Sequence, residues 1–325
     1  MDQDTTRAVK QLAWELDSRK SVEVRVATKP TLHYPDSGRP RAFDTISEHY
    51  IETAAGQRFC DWTGLMSGKI QARSSHYGDG SRFADVDYVQ SNPELQNVIS
   101  IKRQYWMEQG SDRKQVPAPL LYLYSGRETL TAALPKTQNL GKAEVMHRAC
   151  NTFLFPRVSW VVPQDQLFYL DEATSIPLKV EAFRNKEARE NHRPLWVWVA
   201  KSLDKVQGHY VTLQSTQTAF GADGEPAMTW DFNVEKIEFD KDYPRSTFWP
   251  KIQPGVTVVD GIADKTYQTP GAKPPVPEEA RRASAPAQAV TAVPPVGWTP
   301  VISTASIWLG GATLVVGVGL WLRRR

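Results

Sequence analysis

Residues 227–239 read AMTWDFNVEKIEF, and within them Trp230, Phe232 and Val234 alternate with Asp231, Asn233 and Glu235. A period of two places the three apolar side chains on one face and the polar ones on the other, the pattern of a half-buried strand. The same alternation recurs upstream. In SVEVRVAT (21–28), Val22, Val24 and Val26 alternate with Glu23 and Arg25. FDTISEHYIET (43–53) leads through Ala55-Gly56 into QRFCDW (57–62). KIQARSSHY (69–77) turns at Gly78-Asp79-Gly80 into SRFADVDYV (81–89), an Asp-Gly hairpin signal. Further along come CNTFLFPRVSWVV (150–162), a hairpin over 166–183 turning around Asp171 to Ser175, PLWVWVAKSL (194–203), and HYVTLQSTQTAF (209–220), which joins the first-quoted stretch at Asp223-Gly224.

Helical periodicity is confined to a few segments. TTRAVKQLAWELDSRK (5–20) sets Val9, Leu12, Ala13 and Leu16 on one face, with Thr5 or Thr6 as N-cap. PELQNVISIKRQYWMEQ (93–109) reads as a helix opening on Pro93, and Arg127–Leu140 reads as another, following the apolar PAPLLYLYSG (117–126). Many antiparallel strands with one helix in front and one or two midway predict an α+β fold. The expectation is a strongly curved antiparallel sheet with helices covering its concave side. Phe155, Trp160, Trp196, Trp198, Trp230 and Phe232 fall at alternate apolar positions. They either fill a core or line an apolar ligand cavity.

The 325 residues carry a net charge of +3 and are 41% hydrophobic. A balance so near neutral, with no Lys/Arg cluster apart from the C-terminus, argues against nucleic acid as a partner. The chemistry of catalysis is missing. There is no Gly-x-Ser-x-Gly and no His-Glu-x-x-His, and Gly64–Lys69 is one residue short of a phosphate loop. His33, His49, His76, His147, His192 and His209 have no ligand spacing, and Asp79, Asp85 and Asp87 lack that of a calcium loop, so a solvated turn is the simpler reading. The expectation is a protein that is not an enzyme and takes no metal or cofactor. Cys60 and Cys150 fit no zinc or redox motif; they read as two buried thiols or, in an exported domain, as a disulfide.

Composition shifts after residue 269. The Pro/Ala-rich stretch 270–300 reads as an extended linker. Val301–Leu322 is an uncharged run of about 22 residues, and about 20 suffice to cross a bilayer. It stops on Arg323, Arg324 and Arg325, which predicts a cytoplasmic C-terminus and a single-pass protein of the cytoplasmic (inner) membrane. The 1–269 domain would then face the periplasm. That topology needs an export signal, and residues 1–30 contain no apolar h-region. A signal lost to a late start or to processing is favoured over a tail-anchored cytoplasmic protein.

Three segments together resemble the outer-membrane lipoprotein-sorting family, the periplasmic lipoprotein carriers (LolA-like). They are AVKQLAWELDSRKSVEVRV (8–26), LFYLDEATSIPLKVEAF (167–183) and FDKDYPRSTFWPKIQPGVTVVD (239–260). The resemblance spans roughly residues 5–262. It implies an unclosed β-barrel capped by helices, whose apolar cavity holds the acyl chains of lipids or lipoproteins, without catalytic residues. A linker and a C-terminal transmembrane helix depart from the soluble carriers and argue against free shuttling. Two functions follow: a membrane-tethered domain that binds acyl chains, or a membrane-anchored envelope sensor or scaffold with a filled cavity and a protein partner.

Overall fold

The computed structural model describes residues 2–33, 43–90, 92–103, 124–125, 128–155 and 165–271. The chain opens with α1 (Gln3–Asp17) and runs at once into β1 (Ser21–Leu32). Then follow β2 (Thr45–Thr53), β3 (Arg58–Met66), β4 (Lys69–Gly78), β5 (Arg82–Val89) and β6 (Asn92–Arg103). Two short strands, β7 (Tyr124–Ser125) and β8 (Glu128–Thr129), precede the single helical turn α2 (Leu130–Ala133) and a 3₁₀ turn, Leu134–Lys136. The second run of strands is β9 (Gln138–Val145), β10 (Arg148–Phe155), β11 (Asp165–Asp171) and β12 (Pro177–Phe183). After α3 (Lys186–Glu190) come β13 (Trp196–Ala200), β14 (Asp204–Val206), β15 (His209–Val211), β16 (Gln214–Phe220), β17 (Pro226–Phe239), β18 (Thr257–Asp260) and β19 (Lys265–Gln268).

Fifteen of these strands form one open sheet in the order β19-β18-β6-β5-β4-β3-β2-β1-β17-β16-β13-β12-β11-β10-β9. Every pairing is antiparallel except β18 on β6. Two runs of hairpin-connected strands, β2–β6 and β9–β17, meet at β1, which pairs with β2 on one side and with β17 on the other. The β1–β17 ladder runs from Val22↔Phe239 to Leu32↔Met228, with a bulge between Arg25 and Val26 that increases the local twist.

The unclosed, curved antiparallel sheet agrees with the sequence expectation, but a cover of helices over its concave side does not. Residues 92–103 form β6, where a helix over 93–109 was expected; residues 104–109 lie outside the described residues. The alternation Val98, Ile99, Ser100, Ile101 pairs with β5 on one side and β18 on the other, and this pairing overrides the 3.6-residue spacing of the same side chains. The helix expected over 127–140 is reduced to α2 and its 3₁₀ turn, because β9 already begins at Gln138. Among the described residues the one long helix is α1, about 22 Å long, beside a sheet whose fifteen strands span about 65 Å at their usual spacing. Its N-cap is Asp2, whose carboxylate accepts from Thr5 N at 2.7 Å, in place of Thr5 or Thr6.

No described helix is long and apolar enough to cross a membrane. The expected transmembrane helix, 301–322, the Arg tail, 323–325, and all of the 270–300 linker beyond its first two residues lie outside the described residues.

The described residues form two cores, one on each face. The larger joins Ala8 and Leu12 of α1 with Leu130 and Leu134, Val22, Val24 and Val26 of β1, and the aromatic side chains of β10–β17. The smaller, Ala84, Val86, Ile99, Ile101, Val256 and Val258, is covered by Trp249 and Ile252 of the segment that leads into β18. That segment is clamped to β6 by a reciprocal glutamine pair. Gln96 N donates to Gln253 Oε1 and Gln253 N donates to Gln96 Oε1, both at 2.9 Å.

Candidate functional site

Directly opposed residues of antiparallel neighbours share a face, so the registers trace the aromatic positions across the sheet. Phe153 of β10 opposes Phe168 of β11, Phe168 opposes Val180 of β12, and Val180 opposes Trp198 of β13. Trp198 opposes Gln217 of β16, Gln217 opposes Trp230 of β17, and Trp230 opposes Pro30 of β1. A second row, one pleat along, runs Phe155, Gln166, Ala182, Trp196, Ala219, Met228. A third runs Ala200, Ser215, Phe232, Thr28, Ile46.

Five of the six aromatic residues singled out in the sequence therefore lie on one face. Phe155, Trp198, Trp230 and Phe232 are buried, each 4–6% exposed, and Trp196 is half-buried against them. Phe155 packs on Phe168 with ring centroids 4.6 Å apart. Trp160 lies outside the described residues. Helix α1 meets this core through Ala8 and Leu12, and a buried pair fixes its end, with Glu15 Oε2 2.9 Å from His209 Nδ1.

Beyond β1 the same face changes character. Tyr50, Cys60, His76, Asp85 and Ser100 oppose one another in turn across β2–β6, and Glu48, Trp62, Ser74 and Asp87 form the neighbouring row. His76 Nδ1 and Lys102 Nζ each lie 2.7 Å from an oxygen of Asp85. Burial alone would raise the Asp85 carboxyl; these two partners hold it at about 2. Burial raises Asp87, with Asp85 adding to the effect, and pushes Glu48 up to about 7. Burial also lifts the Cys60 thiol well above its ordinary value, reinforced by Glu48 and Asp61. The residues of this polar end lie on five different strands, so in the sequence only the alternation within each strand signals that they share a face.

No disulfide joins Cys60 to Cys150; both are buried thiols, on β3 and β10, and seven strands of the sheet lie between. The three aspartates of the β4–β5 hairpin do separate work. Asp79 Oδ1 caps the turn by accepting from Ser81 N and Arg82 N, while Asp85 and Asp87 point to the face just described.

No protein-family model matches the chain, and no curated protein matches it in sequence. Among solved structures it is similar to a DUF1329 family protein from Desulfovibrio piger, at 9% identity over 76% of this chain and 98% of that one, with a TM-score of 0.49. It is similar to a LolA superfamily protein from Nitrosomonas europaea, at 12% identity over 76% and 97% of the two chains, TM-score 0.47. It is also similar to an outer membrane lipoprotein-sorting protein domain from Vibrio parahaemolyticus, at 11% identity over 75% and 97%, TM-score 0.46.

Proposed function

We propose that the aromatic face of the sheet binds acyl chains of lipids or lipoproteins, without catalysing a reaction. The observation that carries this reading is the row from Phe153 to Trp230 on one face of an open sheet, apolar at every position but Gln217. Six strands at their usual spacing give it a length of about 24 Å, more than the roughly 15 Å of one bilayer leaflet. An acyl chain laid along it gains about 0.8 kcal/mol per buried methylene, so affinity comes from area and needs few polar contacts. Because these aromatics are buried by the chain itself, the ligand exchanges against protein contacts, and uptake is expected to be slow.

The domain is proposed to work outside the cytoplasm, held at the cytoplasmic membrane by its C-terminal segment. The uncharged run 301–322 and the three arginines after it support that placement.

The test is quenching by a brominated phospholipid presented to the full-length chain. Quenching of indole emission that saturates with lipid, and that shrinks in Trp198→Phe, is the expected result. A chain that retains no lipid and shows no quenching rejects the acyl-binding reading and leaves a scaffold with a packed interior.

A further inference from the structure

The aromatic face holds two buried hydroxyl groups, those of Thr28 and Ser215, that no other described residue uses. Phe232 is opposed on one side by Ser215 of β16 and on the other by Thr28 of β1. Ser215 is 0% exposed and Thr28 3%. Neither hydroxyl has a hydrogen-bond partner among the described residues. The opposite face of the same strands treats its hydroxyls differently: Thr216 Oγ1 donates to Asp231 at 2.8 Å, and Thr218 lies 3.4 Å from Thr229. A buried hydroxyl without a partner is costly, and buried polar groups are nearly always satisfied. Two of them flanking one phenyl ring call for an acceptor brought from outside.

The chemistry of that acceptor is constrained. The row Ala200, Ser215, Phe232, Thr28, Ile46 contains no cation, so a carboxylate would be buried among neutral donors alone, which is unfavourable. A neutral carbonyl suits both the hydroxyls and the apolar surroundings. Serine and threonine sit two strands apart, roughly 9–10 Å, too far for one oxygen to serve both. Building on the acyl-binding reading above, we infer that the face takes a neutral lipid region bearing two ester-linked chains, one ester carbonyl accepting from Ser215 and the other from Thr28.

The experiment equilibrates the purified full-length chain with an equimolar mixture of a diester phosphatidylcholine and its diether analogue, with matched chains and headgroup. Retained lipid is quantified by mass spectrometry. The wild-type chain is expected to favour the diester by roughly tenfold. The double variant Thr28→Val/Ser215→Ala, which removes the hydroxyls at nearly constant volume, is expected to retain both lipids about equally. Its melting temperature should equal or exceed that of the wild type, since two unsatisfied groups are gone. Equal retention of the two lipids by the wild type overturns the inference while acyl binding stands. A double variant that still prefers the diester, or that loses stability and both lipids together, overturns it as well. Retention of neither lipid by the wild type removes the acyl-binding reading itself, and the inference with it.

Discussion

Glu23 and Glu48 sit on adjacent strands and respond to acid in opposite senses. Glu23 is 4% exposed on the face opposite the aromatics, and burial alone would raise its carboxyl. Hydrogen bonds from Tyr243, Lys241 and His49 instead hold it at about 2. Its folded value lies below the ordinary one, so its contribution is present above about pH 4.5 and is lost as the pH falls towards 2. Glu23→Gln should cost about 2 kcal/mol at pH 7 and almost nothing at pH 2, a difference that denaturant titration at the two pH values will read. Glu48, pushed up to about 7 by burial, reverses the sign. Its neutral form is preferred in the fold, so the carboxyl weakens the protein as pH rises from about 4.5 through 7. Glu48→Gln should therefore stabilise the chain at pH 8, by on the order of 1 kcal/mol, and change little at pH 4. A uniform effect across that range would show that Glu48 does not titrate in this way.

Elements whose instructions are local were legible in the sequence. Asp79 and Gly80 make the β4–β5 turn where the Asp-Gly signal put it, with Gly80 at φ +94°. Asp171 makes the β11–β12 turn, accepting from Thr174 N and from both the Nε and Nη2 of Arg148. The failures came where a partner strand far along the chain decides the outcome. Residues 93–103 carry apolar side chains at spacings compatible with either element; the pairing of Val98–Ile101 with Thr257–Asp260, more than 150 positions later, makes them strand. The five aromatic residues were readable as inward-facing, but the hydroxyls of Thr28 and Ser215, which no other described residue uses, were not, because whether a hydroxyl has a partner depends on three strands at once. The glutamine clamp is the testable device of this scale. Gln253→Ala leaves Gln96 N without its acceptor and should cost about 2 kcal/mol. The loss should appear in hydrogen exchange first at β18 and β19, with β9–β13 unaffected. Uniform loss of protection over the whole sheet would mean that the clamp does not act locally.

At the scale of the molecule, the two halves of the sheet divide the labour. From β10 to β17 one face carries the aromatic rows, interrupted by Gln166, Ser215 and Gln217, and from β2 to β6 it is more polar, with Asp85, His76 and Lys102 tied together. Such a face suits an amphiphile whose chains lie in the first half. The proposed placement at the membrane makes a separate prediction. A reporter that is active only in the cytoplasm should work when fused after Arg325, and one that requires export should not. The reverse pattern would place the sheet in the cytoplasm. The junction at β1 also sets a schedule. During synthesis β1 and β2 emerge early, while the strand that completes the other side of β1 ends at Phe239, roughly 200 residues later. At about 5–20 residues per second, the open flank of β1 waits on the order of 10–40 seconds for its neighbour. An unpaired strand edge is a template for other chains, so this interval is when the newborn polypeptide most needs a companion that keeps that flank occupied.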